Sequence, residues 1–263
     1  MIDKFDLTGK RALVGGSSQG IGGGIAQQLA EQNASVILVA RHEEDLKQKL
    51  DQLPNNGNQK HSYLVVDYDN PDQLEAAVTK ELENGPIHIV VNNTGGPPPG
   101  AVHSANIEEF TTAFRQHIVC NQVLAKLCLP GMKSEGYGRF INVISTSVKQ
   151  PIPGLGVSNT IRGATANWAK TLSMEVAEHG ITVNNILPGY INTRRIAQIA
   201  QNRANNSGRT AEEEIKSMAA MVPSKRLAEP DEVGYLAAFL ASPAASYING
   251  INVPIDGGRT ASL

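Results

Sequence analysis

Glycines cluster between residues 15 and 22, in the order Gly15-Gly16-Ser17-Ser18-Gln19-Gly20-Ile21-Gly22. The cluster lies between a short apolar run and a segment in which Ile21, Ile25 and Leu29 repeat at helical spacing. Glycine permits a tight turn and close backbone approach, and a helix N-terminus offers free N–H groups and a positive dipole end. Placed between a strand and a helix, the pattern predicts a site for the pyrophosphate of a dinucleotide. The predicted contacts are Gly16, Ser17, Ser18, Gln19, Gly20, Ile21 and Gly22.

The residues after the second apolar run bear on which dinucleotide would bind. Ala40 is followed by Arg41 and His42, and no acid occurs until Glu43. An acid at this point holds the ribose 2′-hydroxyl of NAD, whereas a guanidinium pairs with a 2′-phosphate. The sequence therefore predicts NADP(H) in preference to NAD(H), with Arg41 on the phosphate. The alternative for Arg41 is an exposed arginine at the start of a helix.

Seven short runs rich in β-branched residues alternate with longer helical patterns. The runs cover residues 11–14, 35–40, 63–66, 87–91, 140–144, 182–187 and 252–255. Most are continuously apolar, as expected for parallel strands covered on both faces. The alternation predicts an α/β fold, a single doubly wound Rossmann-type domain over residues 1–263 with a seven-stranded parallel sheet and helices on both faces. Residues 194–222, polar and helical in pattern, are predicted to form a substrate flap.

Composition excludes several classes of protein. The 263 residues are 41% hydrophobic and carry a net charge of −2, so the chain lacks the basic balance typical of nucleic-acid or anionic-membrane partners. No apolar run approaches the roughly 18 residues that span a bilayer. Cys120 and Cys128 fall on one predicted helix, about 12 Å apart, too far for a disulfide. We therefore expect a cytoplasmic protein without a metal site or a nucleic-acid or membrane partner.

Three further motifs give the chain a recognisable pattern. They are Asn92-Asn93-Thr94-Gly95, Pro188-Gly189-Tyr190-Ile191-Asn192-Thr193 and Asp256-Gly257-Gly258. Together with the glycine cluster, in which Gly15 replaces the usual threonine, they resemble the short-chain dehydrogenase/reductase family and are most similar to its 3-oxoacyl-acyl-carrier-protein reductase branch. The resemblance implies a homotetramer, and cofactor contacts from Asp67, Tyr68, Asn93, Thr94, Gly95, Arg162, Pro188, Gly189, Ile191 and Thr193. In the family, the acid corresponding to Asp67 contacts adenine, the backbone at Ile191 holds the nicotinamide amide, and Thr193 touches phosphate.

The chain departs from the family at the catalytic tetrad of Asn, Ser, Tyr and Lys. Alignment without gaps places Ser145 at the serine position, Ser158 at the tyrosine and Arg162 at the lysine. His117 stands at the asparagine position, with Asn121 one helical turn away. This pattern resembles a divergent branch of the family with an altered tetrad. We therefore expect Ser145, Ser158, Arg162 and Lys149 to carry the chemistry.

The replacements leave the proton donor open. Ser158 can relay a proton but is a poor acid, and Arg162 can hold ribose hydroxyls but does not readily lose its proton. Lys149, Tyr190 and His117 are candidate donors. The alternatives are a solvated loop lysine, a packing aromatic and a buried helix histidine. Loss of the tyrosine acid slows a reductase without abolishing it, because general acid catalysis contributes about 10²–10⁴-fold.

Three functions remain possible from the sequence. The leading one is an NADPH-dependent oxidoreductase that reduces a carbonyl, 3-oxoacyl-like or another ketone, on a small molecule or an acyl carrier, to a secondary alcohol with a non-standard proton donor. The second is an NADP-binding protein without redox turnover, serving as a sensor or scaffold subunit. The third is non-redox chemistry, such as that of a lyase or epimerase. The apolar stripe with Ile161, Trp168 and Leu172 fits either a subunit interface or packing on the sheet.

Overall fold

A single seven-stranded parallel sheet forms the centre of the computed structural model, which describes residues 4–262. The strand order is β3-β2-β1-β4-β5-β6-β7, so the chain reverses its direction of travel across the sheet between β1 and β4. The strands are β1 (Arg11–Gly15), β2 (Ser35–Ala40), β3 (Ser62–Val65), β4 (Ile89–Asn92), β5 (Gly138–Val143), β6 (Ile181–Pro188) and β7 (Asn252–Ile255). The predicted doubly wound α/β fold is confirmed. A reversal of this kind opens a crevice at the carboxyl ends of the strands.

Helices cover both faces of the sheet. They are α1 (Gly20–Glu31), α2 (Glu43–Gln52), α3 (Pro71–Glu81), α4 (Ile107–Phe114), α5 (Cys120–Glu135), α6 (Gly156–Val176), α7 (Arg194–Ser207), α8 (Ala211–Ala220) and α9 (Pro230–Ala241). The helices α1, α2 and α9 bury apolar residues against one face, and α3, α5 and α6 against the other. Across residues 4–262, no helix combines the length and apolarity needed to cross a bilayer.

Local capping explains where two of these helices begin. The Asn70 side chain accepts a hydrogen bond from the Gln73 N–H (3.1 Å), and Pro71 occupies the first turn of α3. The Gln73 side chain accepts from the Asp67 N–H (3.0 Å) and so braces the loop after β3. At α4, the Asn106 N–H donates to Glu109 (2.9 Å) in the predicted capping box.

The predicted flap is a pair of packed helices, α7 and α8. Thr193 caps α7, since its hydroxyl accepts from the Ile196 N–H (3.4 Å). The two helices share a small apolar cluster that includes Ile196, Ala200 and Met218, against which Tyr190 packs. The cluster attaches the flap to the loop that follows β6.

Candidate functional site

The turn between β1 and α1 requires glycine. Gly16 and Gly20 have φ angles of +56° and +57°, in the left-handed region that favours glycine. A Cβ atom on Gly22 would press on the Gly16 carbonyl and lie 2.8 Å from Nδ2 of Asn93. No side chain caps the N-terminus of α1, so its first-turn N–H groups remain available to an anion. The turn therefore fits a pyrophosphate.

The three polar residues inside the turn face different ways. Ser17 is fully buried, and its hydroxyl accepts a hydrogen bond from the Val39 N–H (2.9 Å), so its side chain ties the turn to β2. Ser18 and Gln19 line a cavity of about 200 Å³ together with Arg194. Arg194 is a cation beside the N-terminus of α1 that the sequence analysis missed. Its position directly after Thr193 was the available signal.

The side chains near the end of β2 leave the Arg41 guanidinium unpaired and able to bind a ligand. Arg41 is exposed and makes no hydrogen bond or ion pair with residues 4–262. The nearest acid, Glu43, accepts from the Tyr63 hydroxyl (2.9 Å) and pairs with Lys47 (3.3 Å). These contacts lower the pKa of the Glu43 carboxyl, with the Tyr63 hydroxyl as the main cause. The positive charge at this corner is therefore Arg41, while the closest negative charge already has partners.

The acid after β3 and its neighbour face opposite ways. Asp67 is half-buried, and its carboxylate accepts from the Asp69 N–H (3.0 Å). The Tyr68 side chain points into the core, where only 6% of the residue is exposed. Its backbone carbonyl accepts from the Cys120 thiol (3.2 Å). This orientation leaves Asp67 as the side chain of the pair that can face an adenine.

Asn93 joins the loop after β4 to the glycine turn. Its side-chain amide donates to the Gly15 carbonyl (2.9 Å) and lies 3.5 Å from the Gly16 carbonyl. Thr94 is half-buried and Gly95 is exposed, so both line the crevice. The contact between Asn93 and Gly15 joins the loop after β4 to the turn after β1, at the end of the sheet where the crevice lies.

The loop after β6 is held by backbone contacts with the C-terminal segment. Gly189 donates its N–H to the Ile255 carbonyl (2.9 Å), and a Cβ on Gly189 would lie 2.7 Å from the Cβ of Asp256. Ile191 is buried, and the Thr193 methyl would be 3.4 Å from a Cβ on Gly20. The loop therefore reaches the start of α1 and closes one wall of the crevice.

The three predicted tetrad residues Ser145, Ser158 and Arg162 lie after β5 and on α6. Ser145 follows β5, and its hydroxyl oxygen accepts from the Ser147 N–H (3.0 Å), which leaves the hydroxyl proton to donate elsewhere. Ser158 is half-buried and makes no hydrogen bond through its side chain to residues 4–262. Arg162 lies one turn further along α6, as its spacing predicts.

Arg162 turns inward to His117. The guanidinium Nη1 of Arg162 lies 3.3 Å from Nδ1 of His117 and donates to the Val143 carbonyl (3.1 Å). Burial, and then the nearby Arg195, lowers the pKa of Arg162 to about 10. Burial, and then Arg162 itself, holds the pKa of His117 well below its usual range. A neutral His117 accepting at Nδ1 carries its proton on Nε2. The sequence analysis treated the two residues separately, although it predicted both to stand at altered tetrad positions.

His117 lies in an irregular stretch of helix. Residues Arg115–Val119 form a π-helical segment between α4 and α5. Such segments change the direction of side chains along a helix and are frequent at functional sites. This one directs His117 into the interior beside α6.

The remaining candidate donors differ in their surroundings. Lys149 is half-buried, and its ammonium has no hydrogen bond or ion pair to any described residue. The Tyr190 hydroxyl accepts from Arg259 (3.3 Å), whose guanidinium lies 4.4 Å from the centre of the Tyr190 ring. Lys149 is therefore free to meet a ligand, while Tyr190 already has a cationic neighbour.

Comparison with known proteins agrees with this arrangement. Residues 16–260 match the family model described as enoyl-(acyl carrier protein) reductase. The NADPH-dependent reductase BacG of Bacillus subtilis is 32% identical over 261 residues, covering 98% of this chain and 100% of the relative. The 3-oxoacyl-[acyl-carrier-protein] reductase FabG of Vibrio cholerae is 34% identical over 257 residues, covering 97% and 98%.

A solved structure shows the same similarity in three dimensions. L-sorbose reductase from Gluconobacter frateurii, complexed with NADPH and L-sorbose, superposes with a TM-score of 0.93 at 30% identity, over 99% of this chain and 100% of the other. The sheet order, the three loops at its carboxyl edge and these matches lead to one conclusion. The chain is a member of the short-chain dehydrogenase/reductase family.

Proposed function

We propose that the protein is an NADPH-dependent oxidoreductase that reduces a ketone, 3-oxoacyl-like or other, to a secondary alcohol. The observation that carries the proposal is the meeting of three loops at one edge of the sheet. The Asn93 amide donates to the Gly15 carbonyl (2.9 Å), and the Thr193 methyl lies where a Cβ on Gly20 would be 3.4 Å away. A bound nicotinamide would supply the hydride. The relatives described above are reductases by name, two of them NADPH-linked.

NADP(H) is preferred over NAD(H) at this site. Arg41 is exposed with no partner among the described residues, and Glu43 is engaged by Tyr63 and Lys47. A guanidinium pairs in a bidentate manner with phosphate, and the first acid after Arg41 in the sequence, Glu43, already has partners. The first turn of α1 holds the pyrophosphate, with Arg194 beside it.

Ser145 positions the substrate carbonyl. Because its oxygen already accepts from the Ser147 N–H, the hydroxyl proton is directed outward as a donor. Ser158, half-buried on the adjacent turn of α6, relays a proton and does not generate one. Arg162 adds positive charge behind both serines, where developing negative charge on the carbonyl oxygen is stabilised.

Lys149 is the proton donor in this proposal. His117 is neutral near pH 7 because burial and Arg162 depress its pKa, so it has no imidazolium proton to give. The Tyr190 ring packs on the apolar cluster of Ile196, Ala200 and Met218, outside the loop that carries Ser145, and its hydroxyl lies beside Arg259 (3.3 Å). Lys149 follows Ser145 by four residues in the same loop, and its ammonium is unpaired among residues 4–262.

The direct test is NADPH consumption over a panel of ketones, with separate measurement of NADPH binding. We expect turnover with at least one ketone, and Lys149→Met to lower kcat by roughly tenfold to a hundredfold without changing NADPH affinity. Lys133→Met, a change in the same residue type far from the crevice at the end of α5, is the matched control. Tight NADPH binding without turnover of any ketone would contradict the proposal.

A second candidate function is cofactor binding without redox turnover. It is favoured by one observation, the contact of Arg162 with His117 and the Val143 carbonyl, which engages the guanidinium inside the protein. The double variant Ser158→Tyr with Arg162→Lys separates the two. Turnover that appears only in the double variant supports the binding protein, whereas turnover in the unaltered protein supports the enzyme.

The assembly and substrate classes complete the proposal. A homotetramer agrees with the family resemblance. Within one chain, Ala169 and Leu172 of α6 already pack on the sheet, and the Trp168 indole donates to Gln122 of α5 (2.9 Å), so these residues of the apolar stripe have partners inside the subunit. The substrate is a small molecule or an acyl-carrier thioester, and α7 and α8 form the flap that selects it. Light scattering of the purified protein measures the assembly.

A further inference from the structure

A row of four asparagine amides, of which those on β4, β5 and β6 are buried, crosses half of the sheet. The Asn92 amide donates to Asn142 (2.7 Å), Asn142 donates to Asn185 (2.8 Å), and Asn185 donates to Asn252 (2.8 Å). The four residues are side-by-side partners on β4, β5, β6 and β7. We call this row the amide ladder. It lies directly beneath the loops that form the crevice.

The ladder has one unsatisfied end. Because Nδ2 of Asn92 points to β5, its Oδ1 points the other way, towards β1. Oδ1 is buried and accepts no hydrogen bond from residues 4–262. The register pairs Val14 with Val91, so the β1 residue beside Asn92 is Gly15, which has no side chain to donate. A buried carbonyl oxygen without a donor is destabilising.

The Tyr68 hydroxyl occupies the space beside Gly15. A Cβ on Gly15 would lie 2.6 Å from the Tyr68 oxygen and 2.6 Å from the Asn93 carbonyl oxygen, so the tyrosine and the Asn93 backbone together fill the volume that a side chain at position 15 would take. The hydroxyl is buried and, like Oδ1 of Asn92, has no hydrogen-bond partner among the described residues. Burial raises the pKa of this phenol above its ordinary value, which keeps it protonated and able to donate.

We propose that Tyr68 is a positioning residue whose hydroxyl serves the free end of the amide ladder, through one bridging water, in place of a side chain at position 15. A bridging water costs little and transmits a hydrogen bond nearly as well as direct contact. The bond holds β1 against β4. It therefore steadies the Gly15 carbonyl, to which Asn93 donates (2.9 Å), and with it the floor of the crevice. The functional part of this inference rests on the proposed nicotinamide site.

The first test compares Tyr68→Phe with Tyr247→Phe, which removes a hydroxyl from a fully exposed tyrosine. We expect Tyr68→Phe to lower the melting temperature by several degrees and to weaken NADPH binding by roughly threefold to tenfold. The adenosine bisphosphate fragment of NADP, which by the proposed function binds at Arg41 after β2, should keep its affinity. A merely structural loss would weaken both ligands alike. An unchanged melting temperature and NADPH affinity would overturn the proposal.

The second test is a double-mutant cycle on stability. Tyr68→Phe should add little to Asn92→Ala, because each change removes one partner of the same interaction. Tyr68→Phe and Asn252→Ala should be additive, since Asn252 lies about four strand spacings from Gly15, roughly 19 Å away. Additive effects for both pairs would overturn the proposal. If Asn92→Ala fails to fold, the comparison of Tyr68→Phe with Tyr247→Phe still decides whether the proposal holds.

These readouts are separate from the proposed function. They measure unfolding and cofactor binding, so an absence of ketone turnover leaves them unaffected. If the unaltered protein binds no NADPH, the proposed function fails, while the stability cycle still tests the contact between Tyr68 and the amide ladder.

Discussion

The two halves of the crevice differ in how they have kept the pattern of the family. The cofactor half, made by the turn after β1 and the loops after β4 and β6, retains the glycines and the backbone contacts that join these loops. By the family resemblance, the reaction half, made by the end of β5, the π-helical segment and α6, is predicted to keep Ser145 alone of the four tetrad residues. Cofactor recognition depends mainly on backbone N–H groups and the absence of side chains. Chemistry depends on individual side chains, which can change without disturbing the fold.

The cofactor half also shows a compensated change. Gly15 replaces a threonine, and the Tyr68 hydroxyl fills the space beside it. In the reaction half, a related exchange pairs Arg162 with His117 at 3.3 Å. In both places a side chain from another element takes up the volume or the hydrogen bond that the usual residue would supply. Substitutions in a packed site therefore need to be interpreted in pairs.

The largest expected effect comes from disturbing the backbone of the cofactor half. Gly22→Ala should abolish measurable NADPH binding, a loss of more than about a hundredfold, because the added methyl group collides with the Gly16 carbonyl and the Asn93 amide. Calorimetric titration with NADPH measures the loss. The matched control is Gly163→Ala on α6, where a Cβ meets nothing within 4 Å. Equal NADPH affinity in both variants would contradict the backbone account.

The next effect should fall on turnover alone. Ser145→Ala removes the hydroxyl that donates to the substrate carbonyl, and we expect kcat to fall about 10²–10³-fold while NADPH affinity stays unchanged. Steady-state kinetics on the ketone that the panel identifies, together with NADPH titration, provides the measurement. Ser134→Ala, at an exposed position near the C-terminal end of α5, is the matched control. If Ser145→Ala changed affinity and left kcat intact, the division between the two halves would be wrong.

A smaller effect should separate the two nicotinamide cofactors. Arg41→Ala removes the only cation that the sequence analysis assigned to the 2′-phosphate, and we expect NADPH affinity to fall roughly tenfold with little change for NADH. Titration of both cofactors into the same variant measures the ratio. Arg203→Ala, on the flap helix α7, is the matched control. A parallel loss for NADH would place Arg41 outside phosphate recognition.

The sequence predicted the sheet well because most strands contain a short apolar run rich in β-branched residues, and every observed strand overlaps its predicted span. It also placed Ser158 and Arg162 on one helix face, since their spacing is local. It did not predict the contact of Arg162 with His117, 45 residues away, which depends on the π-helical segment. The amide ladder could not be predicted either, because its hydrogen bonds depend on how the strands align with one another in the sheet. Local patterns predict elements, whereas side-chain direction depends on packing between them.

The smallest expected effect is a pH dependence of stability that arises in the reaction half. Burial, then Arg162, lowers the pKa of His117 well below the value of about 6.5 that it has in the unfolded chain. Below that value the unfolded chain binds more protons than the folded one, so the free energy of unfolding falls as the pH falls. The melting temperature should therefore fall as the pH is lowered from 7.5 to about 5. In the His117→Asn variant it should fall less steeply.

The control for this slope is His103→Asn, since His103 is exposed. Some slope should persist in His117→Asn, because burial also lowers the pKa of His88 to about 4 at the opposite edge of the sheet. Asparagine can still accept from Arg162 through its side-chain oxygen, so the variant removes the titrating group while keeping an acceptor. A slope equal to that of the unaltered protein would mean that His117 binds protons equally in the folded and the unfolded chain, so that its pKa is not lowered by folding. The contact of Arg162 with a neutral, buried His117, inferred for the reaction half, would then fail.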